Sequence, residues 1–348
     1  MNRKLLSLLL AAAFPACVVT AQQPSALPSA PSPQTSPAPT SQTPTNQAPA
    51  TQQPATQQSG GQAPDQSPDT GPILRLNANE VNLIFTVTDR HGHYVPNLKQ
   101  SDFALLDDQK APAKVTSFRQ QINLPLRVGI VIDASTSIRT RFQFEQQSAT
   151  EFLLDILKTR SDRAFVMGFD VTPTVTADWS NNLDALEAGV NRLRPGGGTA
   201  LFDAVYTACR DKLLSDRSPD PVRKAMVLIS DGDDNQSRVR PDEAIKMCER
   251  ADTIIYAIST NWTPSRGKGD QVLTQLSETT GGRVFFPPSV EEMANSFHEI
   301  EAELRSQYAL TYTPADFQYN GAFRPIYLYC NDRRYSVRAK KGYFAPLQ

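Results

Sequence analysis

Between residues 124 and 307, apolar strand-like runs alternate with segments that have the periodicity of an α-helix. The run Leu126–Ile132 is apolar on both faces apart from Arg127, as expected for a strand buried inside a parallel sheet. Apolar residues at helical spacing follow it from Phe142 to Leu157. Parallel neighbours need long crossovers, and helices usually supply them. The pattern predicts an α/β domain over residues 123–307, built on a doubly wound, mostly parallel sheet.

Further elements of this domain follow from the same two periodicities. A helix stopped by Pro195 precedes three glycines, and another helix has a plausible C-cap at Gly281 and Gly282. The run at 174–176 favours an edge hairpin. Apolar runs predict the remaining strands, at 164–169, 225–229, 253–258 and 283–286.

Both flanks of this region show a period of two, which is typical of β-strands. In residues 73–122, strands are predicted at 81–88 and 115–118, and the segment 103–106 followed by Asp107 and Asp108 predicts a strand and a hairpin. In residues 308–348, strands are predicted at 308–312, 324–329 and 335–338. The N-terminal unit is small for a stable domain. We therefore expect it to pack with the C-terminal strands as one small all-β domain.

The C-terminal strands are rich in tyrosine. Alternation of tyrosine with leucine and isoleucine favours a sandwich core, and a carbohydrate-binding face is the alternative. The tyrosines concerned are Tyr308, Tyr312, Tyr327, Tyr329, Tyr335 and Tyr343.

The N-terminus has the three parts of a secretion signal. Asn2-Arg3-Lys4 is positively charged, Leu5–Val19 is apolar, and small residues end at Ala21. A signal peptide over 1–21 is therefore predicted. A retained membrane anchor fits less well because the apolar stretch is short, and a lipid anchor on Cys17 fits less well because Phe14 is bulky. We expect an exported protein, periplasmic or extracellular, with no integral membrane segment after signal removal.

Residues 22–72 consist mainly of proline, glutamine, serine, alanine and threonine. The segment has no lysine, arginine or aromatic residue, and its charges are Asp65 and Asp69. Such a composition cannot bury enough apolar surface to offset the entropy of ordering, so it predicts a disordered linker. The segment is interpreted either as a spacer that holds the domain off a surface or as a passive insertion.

The net charge bears on the class of partner, and the cysteine content bears on whether a disulfide forms. The formal net charge of the 348 residues is −1, which does not favour nucleic acid as a partner. Cys209, Cys248 and Cys330 remain after signal removal. Cys209 and Cys248 fall on predicted helices of one domain, where either a disulfide or two buried thiols is possible.

Three short polar segments are predicted to meet at one edge of the sheet. Asp133, Ser135 and Ser137 follow one buried strand, Asp231 follows another, and Thr199 ends a glycine-rich loop before a helix. Loops at the carboxyl ends of parallel strands form the ligand site of such sheets. The donors are hydroxyl and carboxylate oxygens without Cys or His, which suits Mg²⁺, Mn²⁺ or Ca²⁺ rather than zinc.

Each piece also has a simpler interpretation. Thr199 has the side chain of an N-cap for the helix that starts near Ala200. Asp203 could reach the site or lie on an ordinary helix surface, and Asp170, which ends a strand at the same sheet edge, could orient a water. The acidic run that begins at Asp233 lacks the spacing of a calcium loop and is expected to shape the rim.

The motifs, in their order along the chain, resemble the von Willebrand factor type A domain and its metal-ion-dependent adhesion site. The resemblance covers roughly residues 124–307 and all five metal positions. It implies that Ser135 and Ser137 bind the metal directly and that Thr199 does so in the liganded state. Asp133 and Asp231 would act mainly through water or by holding the hydroxyls.

The flanks are similar to those of exported bacterial proteins with this domain, the acidobacterial type in particular. The similarity rests on Asp89–Gly92 and Val95–Leu98 before the domain, and on the endings 308–314 and 341–346.

The resemblance implies a non-enzymatic module that binds an acidic group of a partner protein, Glu or Asp, through the cation. A cell-envelope scaffold with weak dependence on metal is the alternative. A hydrolase would be expected to have directly bound carboxylates or two ions, and the sequence shows no nucleophile or zinc-protease motif.

Overall fold

A six-stranded sheet forms the centre of the protein, in a computed structural model that describes residues 79–122, 124–139, 142–218, 222–261, 265–289 and 292–347. The predicted signal peptide, 1–21, and linker, 22–72, lie outside the described residues. Among the described residues, no helix has both the length and the apolar character that a membrane span requires.

The strand order of the central sheet is β6-β5-β4-β7-β8-β9. β4 pairs in parallel with β5 and β7, β8 continues the parallel order, and β6 is an antiparallel edge strand. The predicted α/β fold with a mostly parallel sheet is therefore confirmed. The strands are β4 (Leu126–Asp133), β5 (Arg163–Phe169), β6 (Pro173–Ser180), β7 (Arg223–Ser230), β8 (Thr253–Ser259) and β9 (Val284–Phe285).

Helices cover both faces of this sheet. One face packs against α1 (Phe142–Ile156), α2 (Leu183–Arg192) and α6 (Met293–Arg305). The other packs against α3 (Leu201–Thr207), α4 (Pro241–Arg250) and α5 (Lys268–Thr280). All eight residues of β4 are buried, which accounts for its continuous apolar pattern.

A disulfide joins Cys209 to Cys248, with Cα atoms 5.0 Å apart. Cys209 lies in a π-helical continuation of α3, and Cys248 lies on α4. The sequence left a disulfide and two thiols as alternatives. The structure has the disulfide, on the face of the sheet that α3, α4 and α5 cover.

The residues before and after the α/β region form two antiparallel sheets around a shared core. One has the order β12-β1-β10-β3, and the other has the order β13-β11-β2. Strands from both flanks therefore pair with one another, as predicted. These strands are β1 (Val81–Thr88), β2 (Phe103–Asp107), β3 (Lys114–Ile122), β10 (Ser306–Thr313), β11 (Phe323–Cys330), β12 (Ser336–Ala339) and β13 (Gly342–Phe344).

The hairpin predicted after residue 106 is present as a tight turn, in which Asp107 N donates to Lys110 O at 2.8 Å and Lys110 N donates to Asp107 O at 3.0 Å, but the strands on its two sides do not go on to pair with each other. β2 pairs with β11, across more than 200 residues, while β3 pairs with β10 in the other sheet. Asp107 is both the last residue of β2 and the first residue of this turn, and it is buried. β13 was not predicted.

Asp107 joins the two antiparallel sheets through hydrogen bonds. Its Oδ1 accepts from Arg324 Nε at 2.8 Å, and its Oδ2 accepts from the hydroxyls of Tyr312 and Tyr343 at 2.7 and 3.0 Å. Because Tyr312 lies on β10 and the other two partners lie on β11 and β13, one carboxylate ties the core together. Arg324 is itself 6% exposed, and its guanidinium also pairs with Asp316 at 2.8 Å, so Asp107 is one of two close carboxylate partners of this buried charge.

We expect Asp107→Ala to destabilise the protein by about 3–5 kcal/mol, since it removes a buried carboxylate that pairs with Arg324 and accepts from the Tyr312 and Tyr343 hydroxyls. The measurement is the free energy of unfolding in urea. Asp108→Ala is the control, because Asp108 is 46% exposed and lies 3.8 Å from the same guanidinium. Equal losses in the two variants would contradict the role assigned to Asp107.

Candidate metal centre

The loops that carry the predicted ligands meet at the carboxyl edge of the central sheet. Asp133 is the last residue of β4, and Ser230 is the last residue of the neighbouring strand β7. The glycine-rich loop that ends at Thr199 is held against the loop that carries Ser135 and Ser137 by two hydrogen bonds to backbone carbonyls. Gly196 N donates to Ala134 O at 2.7 Å, and the Thr136 hydroxyl donates to Gly197 O at 2.9 Å.

Asp133 is completely buried and organises the serine loop. Its Oδ1 accepts from the backbone N–H of Ser135 at 2.8 Å, and its Oδ2 accepts from the Ser230 hydroxyl at 2.7 Å. Burial raises the pKa of Asp133 to about 6, although these hydrogen bonds lower it, and the nearby Asp231 raises it further. The carboxylate therefore fixes the position of its neighbours from beneath the site.

The remaining serine and carboxylate side chains form a chain of hydrogen bonds above Asp133. The hydroxyls of Ser135 and Ser137 lie 2.9 Å apart, and the Ser137 hydroxyl donates to Asp231 Oδ2 at 3.0 Å. The other oxygen of Asp231 accepts from the backbone N–H of Asp233 at 3.1 Å. Four of the five predicted residues are thus connected directly or through one neighbour.

Thr199 reaches the same edge on a loop that is fixed from the other side. Its N–H donates to Asn235 Oδ1 at 3.0 Å, and its carbonyl accepts from the N–H groups of Asn235 and Gln236. The side chain is buried. The loop that follows Asp231 therefore also positions Thr199, as expected for a rim.

Thr199 does not cap the helix that follows it. The N-cap of α3 is Ala200, and Asp234 Oδ1 accepts from Leu201 N at 2.9 Å. Ser237 Oγ accepts from Asp203 N at 3.1 Å. Because other side chains satisfy the first turn, the interpretation of Thr199 as an N-cap is wrong.

Two acidic residues that the sequence left open have structural roles. Asp203 Oδ1 accepts from the N–H groups of Arg238 and Val239 at 2.9 and 2.8 Å, so it holds a neighbouring loop. The carbonyl of Asp170 accepts from Ala200 N at 2.7 Å, and its Oδ1 accepts from Thr172 N.

Sequence reasoning assigned no role to Ser230 or Gly232. Ser230 Oγ donates to Asp133 and accepts from Gly232 N at 3.0 Å, so one hydroxyl connects two of the loops. Gly232 has a φ of +81°, and a Cβ there would lie 2.2 Å from the carbonyl oxygen of Gly269. The position of both residues within Ser230-Asp231-Gly232 was the available signal.

The donor chemistry fits a hard divalent cation. The Ser135 hydroxyl lies within hydrogen-bond distance of the Ser137 hydroxyl, and the Ser137 hydroxyl lies within hydrogen-bond distance of a carboxylate oxygen of Asp231. In place of those hydrogen bonds, the same oxygens would coordinate a cation. Among the described residues, no three His, Cys, Asp or Glu side chains group as metal ligands. A metal here would therefore depend on the hydroxyls.

Comparisons with known proteins identify the domain. Residues 128–299 match the family model of the von Willebrand factor type A domain. This segment therefore belongs to the von Willebrand factor type A domain family, as the motifs predicted. No protein of curated function matches the chain. The similarity of the flanks to acidobacterial proteins stays a prediction.

Solved structures similar to this chain come from several organisms. A von Willebrand factor type A protein from Catenulispora acidiphila has 14% identity, covers 71% of this chain and 73% of its own, and has a TM-score of 0.44. The PilB minor pilin from Streptococcus sanguinis has 14% identity over 53% of this chain, with a TM-score of 0.42. This chain spans 62% of that pilin.

Proximal thread matrix protein 1 from the mussel byssus, solved with a zinc-occupied MIDAS motif, has 17% identity and a TM-score of 0.43. The match covers 53% of this chain and 49% of the mussel protein.

We expect Gly232→Ala to destabilise the protein by about 2–4 kcal/mol, because a side chain at positive φ is strained and its Cβ would overlap the Gly269 carbonyl. The measurement is the free energy of unfolding without divalent ions. Gly196→Ala is the control, since no atom lies within 4 Å of its added Cβ. A loss as large for Gly196→Ala, or none for Gly232→Ala, would refute this account.

Proposed function

We propose that the von Willebrand factor type A domain binds a divalent cation, Mg²⁺ or else Mn²⁺ or Ca²⁺, and through it an acidic group of a partner protein. Ser135 and Ser137 supply direct ligands, and Thr199 supplies a third when the partner is bound. Asp133 and Asp231 hold the hydroxyls and bind the ion mainly through water.

One observation carries this proposal. The Ser135, Ser137 and Asp231 oxygens form a connected set, with 2.9 and 3.0 Å between successive members. Chance polar loops would not bring residues 94 positions apart into hydrogen-bond distance at a strand edge. Asp133 below them is fully engaged by Ser135 N–H and the Ser230 hydroxyl, which favours an indirect role for this carboxylate.

The charge balance of the site favours an acidic partner. Neutral hydroxyls leave most of the charge of a cation unneutralised, so an open coordination position attracts an anionic oxygen. Ser137 is exposed while Asp133 and Ser135 are buried. The site therefore opens on the side of Ser137, where a Glu or Asp side chain of another protein can approach.

A binding role is favoured over an enzymatic one by the same donors. Hydrolytic metal centres use directly bound carboxylates or two ions to activate water. This centre instead offers the hydroxyls of Ser135 and Ser137, and the nearby carboxylate of Asp133 already accepts hydrogen bonds from Ser135 N–H and the Ser230 hydroxyl. We accordingly propose no enzymatic activity. The alternative function is a cell-envelope scaffold that uses the same fold with weak dependence on metal.

Export is part of the proposal. The disulfide between Cys209 and Cys248 supports it, because disulfides persist in oxidising compartments and are rare in the cytosol. The predicted signal peptide agrees with that location. The protein would act in the periplasm or outside the cell.

We expect Mg²⁺, Mn²⁺ or Ca²⁺ to raise the melting temperature of the full chain relative to EDTA, because the cation binds the folded state alone. At a cation concentration of 100 times the dissociation constant, the free energy of unfolding rises by about 2.7 kcal/mol. Each kcal/mol raises the melting temperature by about 2–4 °C. The Ser135→Ala/Ser137→Ala double variant should lose the shift. Zn²⁺ is measured in the same series.

The control for this variant is Thr159→Ala/Ser161→Ala. These hydroxyls are also two residues apart and 3.2 Å from each other, but they precede β5 at the opposite edge of the sheet. The control should keep the shift. Absence of a shift with every ion, together with a failed direct titration, would refute the metal-dependent function and favour the scaffold.

A further inference from the structure

One edge of β11 pairs with another strand over only part of its length. Over Phe323–Pro325 this edge pairs with β13, and Ile326 N donates to Lys341 O at 2.7 Å where that pairing ends. Over Ile326–Cys330 the strand pairs with β2 on its other side. Among the described strands, none pairs with the β13 side of β11 beyond Ile326. Backbone donors and acceptors of Leu328 and Cys330 alternate toward that side.

The open edge results from a splayed hairpin. β12 follows β11 after a short turn, but it pairs with β1 in the opposite sheet. β12 is also the edge strand of that sheet. A groove of about 480 Å³ separates the two strand edges, with Leu328, Tyr335 and Val337 among its lining residues. Unpaired edges of this kind are templates for an additional strand.

Exposed aromatic side chains border the groove. Tyr327 is 46% exposed and Tyr329 is 54% exposed, and both lie on the outer face of β11. Leu106, opposite Tyr327 on β2, is also exposed. Of the tyrosines for which the sequence favoured a core, Tyr308 and Tyr312 are buried but these two are not. Exposed tyrosines are enriched where proteins bind one another.

The groove carries only positive charge. Its lining includes Arg333, Lys340 and Lys341 and no acidic residue. Lys340 forms an ion pair with Asp252 at 2.7 Å. Within the described part of the chain, no acidic side chain lies within ion-pair distance of Arg333 or Lys341, and both are exposed. An extended segment in the groove would meet two cations that have no acid of their own.

We propose that this groove binds an extended acidic segment of a partner protein, which adds as a strand to the edge of β11 at Ile326–Cys330. Backbone hydrogen bonds supply affinity, as in other cases of strand addition, and side-chain contacts supply selectivity. Tyr327 and Tyr329 contact the apolar residues of the segment. Arg333 and Lys341 pair with its carboxylates. The surface is separate from the metal centre and does not depend on the function proposed for it.

Charge favours a different protein over a second copy of this chain. Pairing of two β11 edges would bring Arg333 and Lys341 of both copies together, and like charges across an interface are unfavourable. An acidic segment replaces that repulsion with attraction.

The test uses a fluorescein-labelled heptapeptide that alternates glutamate with valine and threonine, titrated with the full chain at low ionic strength and followed by fluorescence polarisation. We expect saturable binding that is unchanged by EDTA. The double variant Arg333→Glu/Lys341→Glu should weaken binding by at least about tenfold, since it reverses both charges. Lys114→Glu, an exposed charge reversal on β3, should leave binding unchanged.

Two further peptides separate the contribution of charge from that of backbone pairing. The same peptide with lysine in place of glutamate should not bind. A copy with N-methyl groups on alternate backbone nitrogens keeps its charge but cannot pair as a strand, so it should bind at least about tenfold more weakly. Equal binding of the methylated peptide would overturn the strand mode. Loss of binding in EDTA would place the peptide at the metal centre, and no binding at all, or dimerisation of the chain through this edge in sedimentation, would overturn the proposal.

Discussion

The register between β4 and β7 is the constraint on which the rest of the structure depends. Ile132 pairs with Ile229, so Asp133 and Ser230 leave the sheet side by side and form a 2.7 Å hydrogen bond. A slip of one residue would exchange the side chains of β4 that pack against α1, α2 and α6 with those that pack against α3, α4 and α5. Because β4 is buried along its whole length, the hydrophobic core fixes this register. The positions of the candidate metal ligands are thus a consequence of core packing.

The two antiparallel sheets adjoin the opposite edge of the central sheet. α6 continues directly into β10, and Arg223, the first residue of β7, donates to the carbonyl of Leu304 at the end of α6. Arg305 donates to Asp162 Oδ2 at 2.8 Å, and Arg338 of β12 donates to Glu303 Oε1 at 2.5 Å. Buried charges with fixed partners are costly to separate. These ion pairs hold the end of α6 between the sheet and the antiparallel strands.

The sequence predicted the sheet and placed the candidate ligands together because both inferences rest on local patterns. Apolar periodicity identifies a strand and its buried faces, and the five candidate ligands stand at strand or helix ends within short motifs. Pairings between distant residues have no such signal. β2 pairs with β11 and not with β3, and the same pairing places Asp107, the first residue of the predicted turn, in the core. The disulfide likewise depends on the 5.0 Å between Cα atoms of two helices, which only the packed structure determines. Tyr327 and Tyr329 share the alternation of Tyr308 and Tyr312, but no described part of the chain covers the outer face of their strand, and both are exposed.

The candidate metal centre and the first strand of the antiparallel sheets lie at opposite edges of the central sheet. Parallel strands have their carboxyl ends at one edge of a sheet, and the candidate ligands lie there. At the other edge, Arg223 and Thr253 begin β7 and β8, and they line one cavity with Ile84 of β1 and Lys340. β1 therefore lies at the edge opposite the metal centre. A partner that approached the exposed Ser137 would therefore come from the side of the central sheet away from β1.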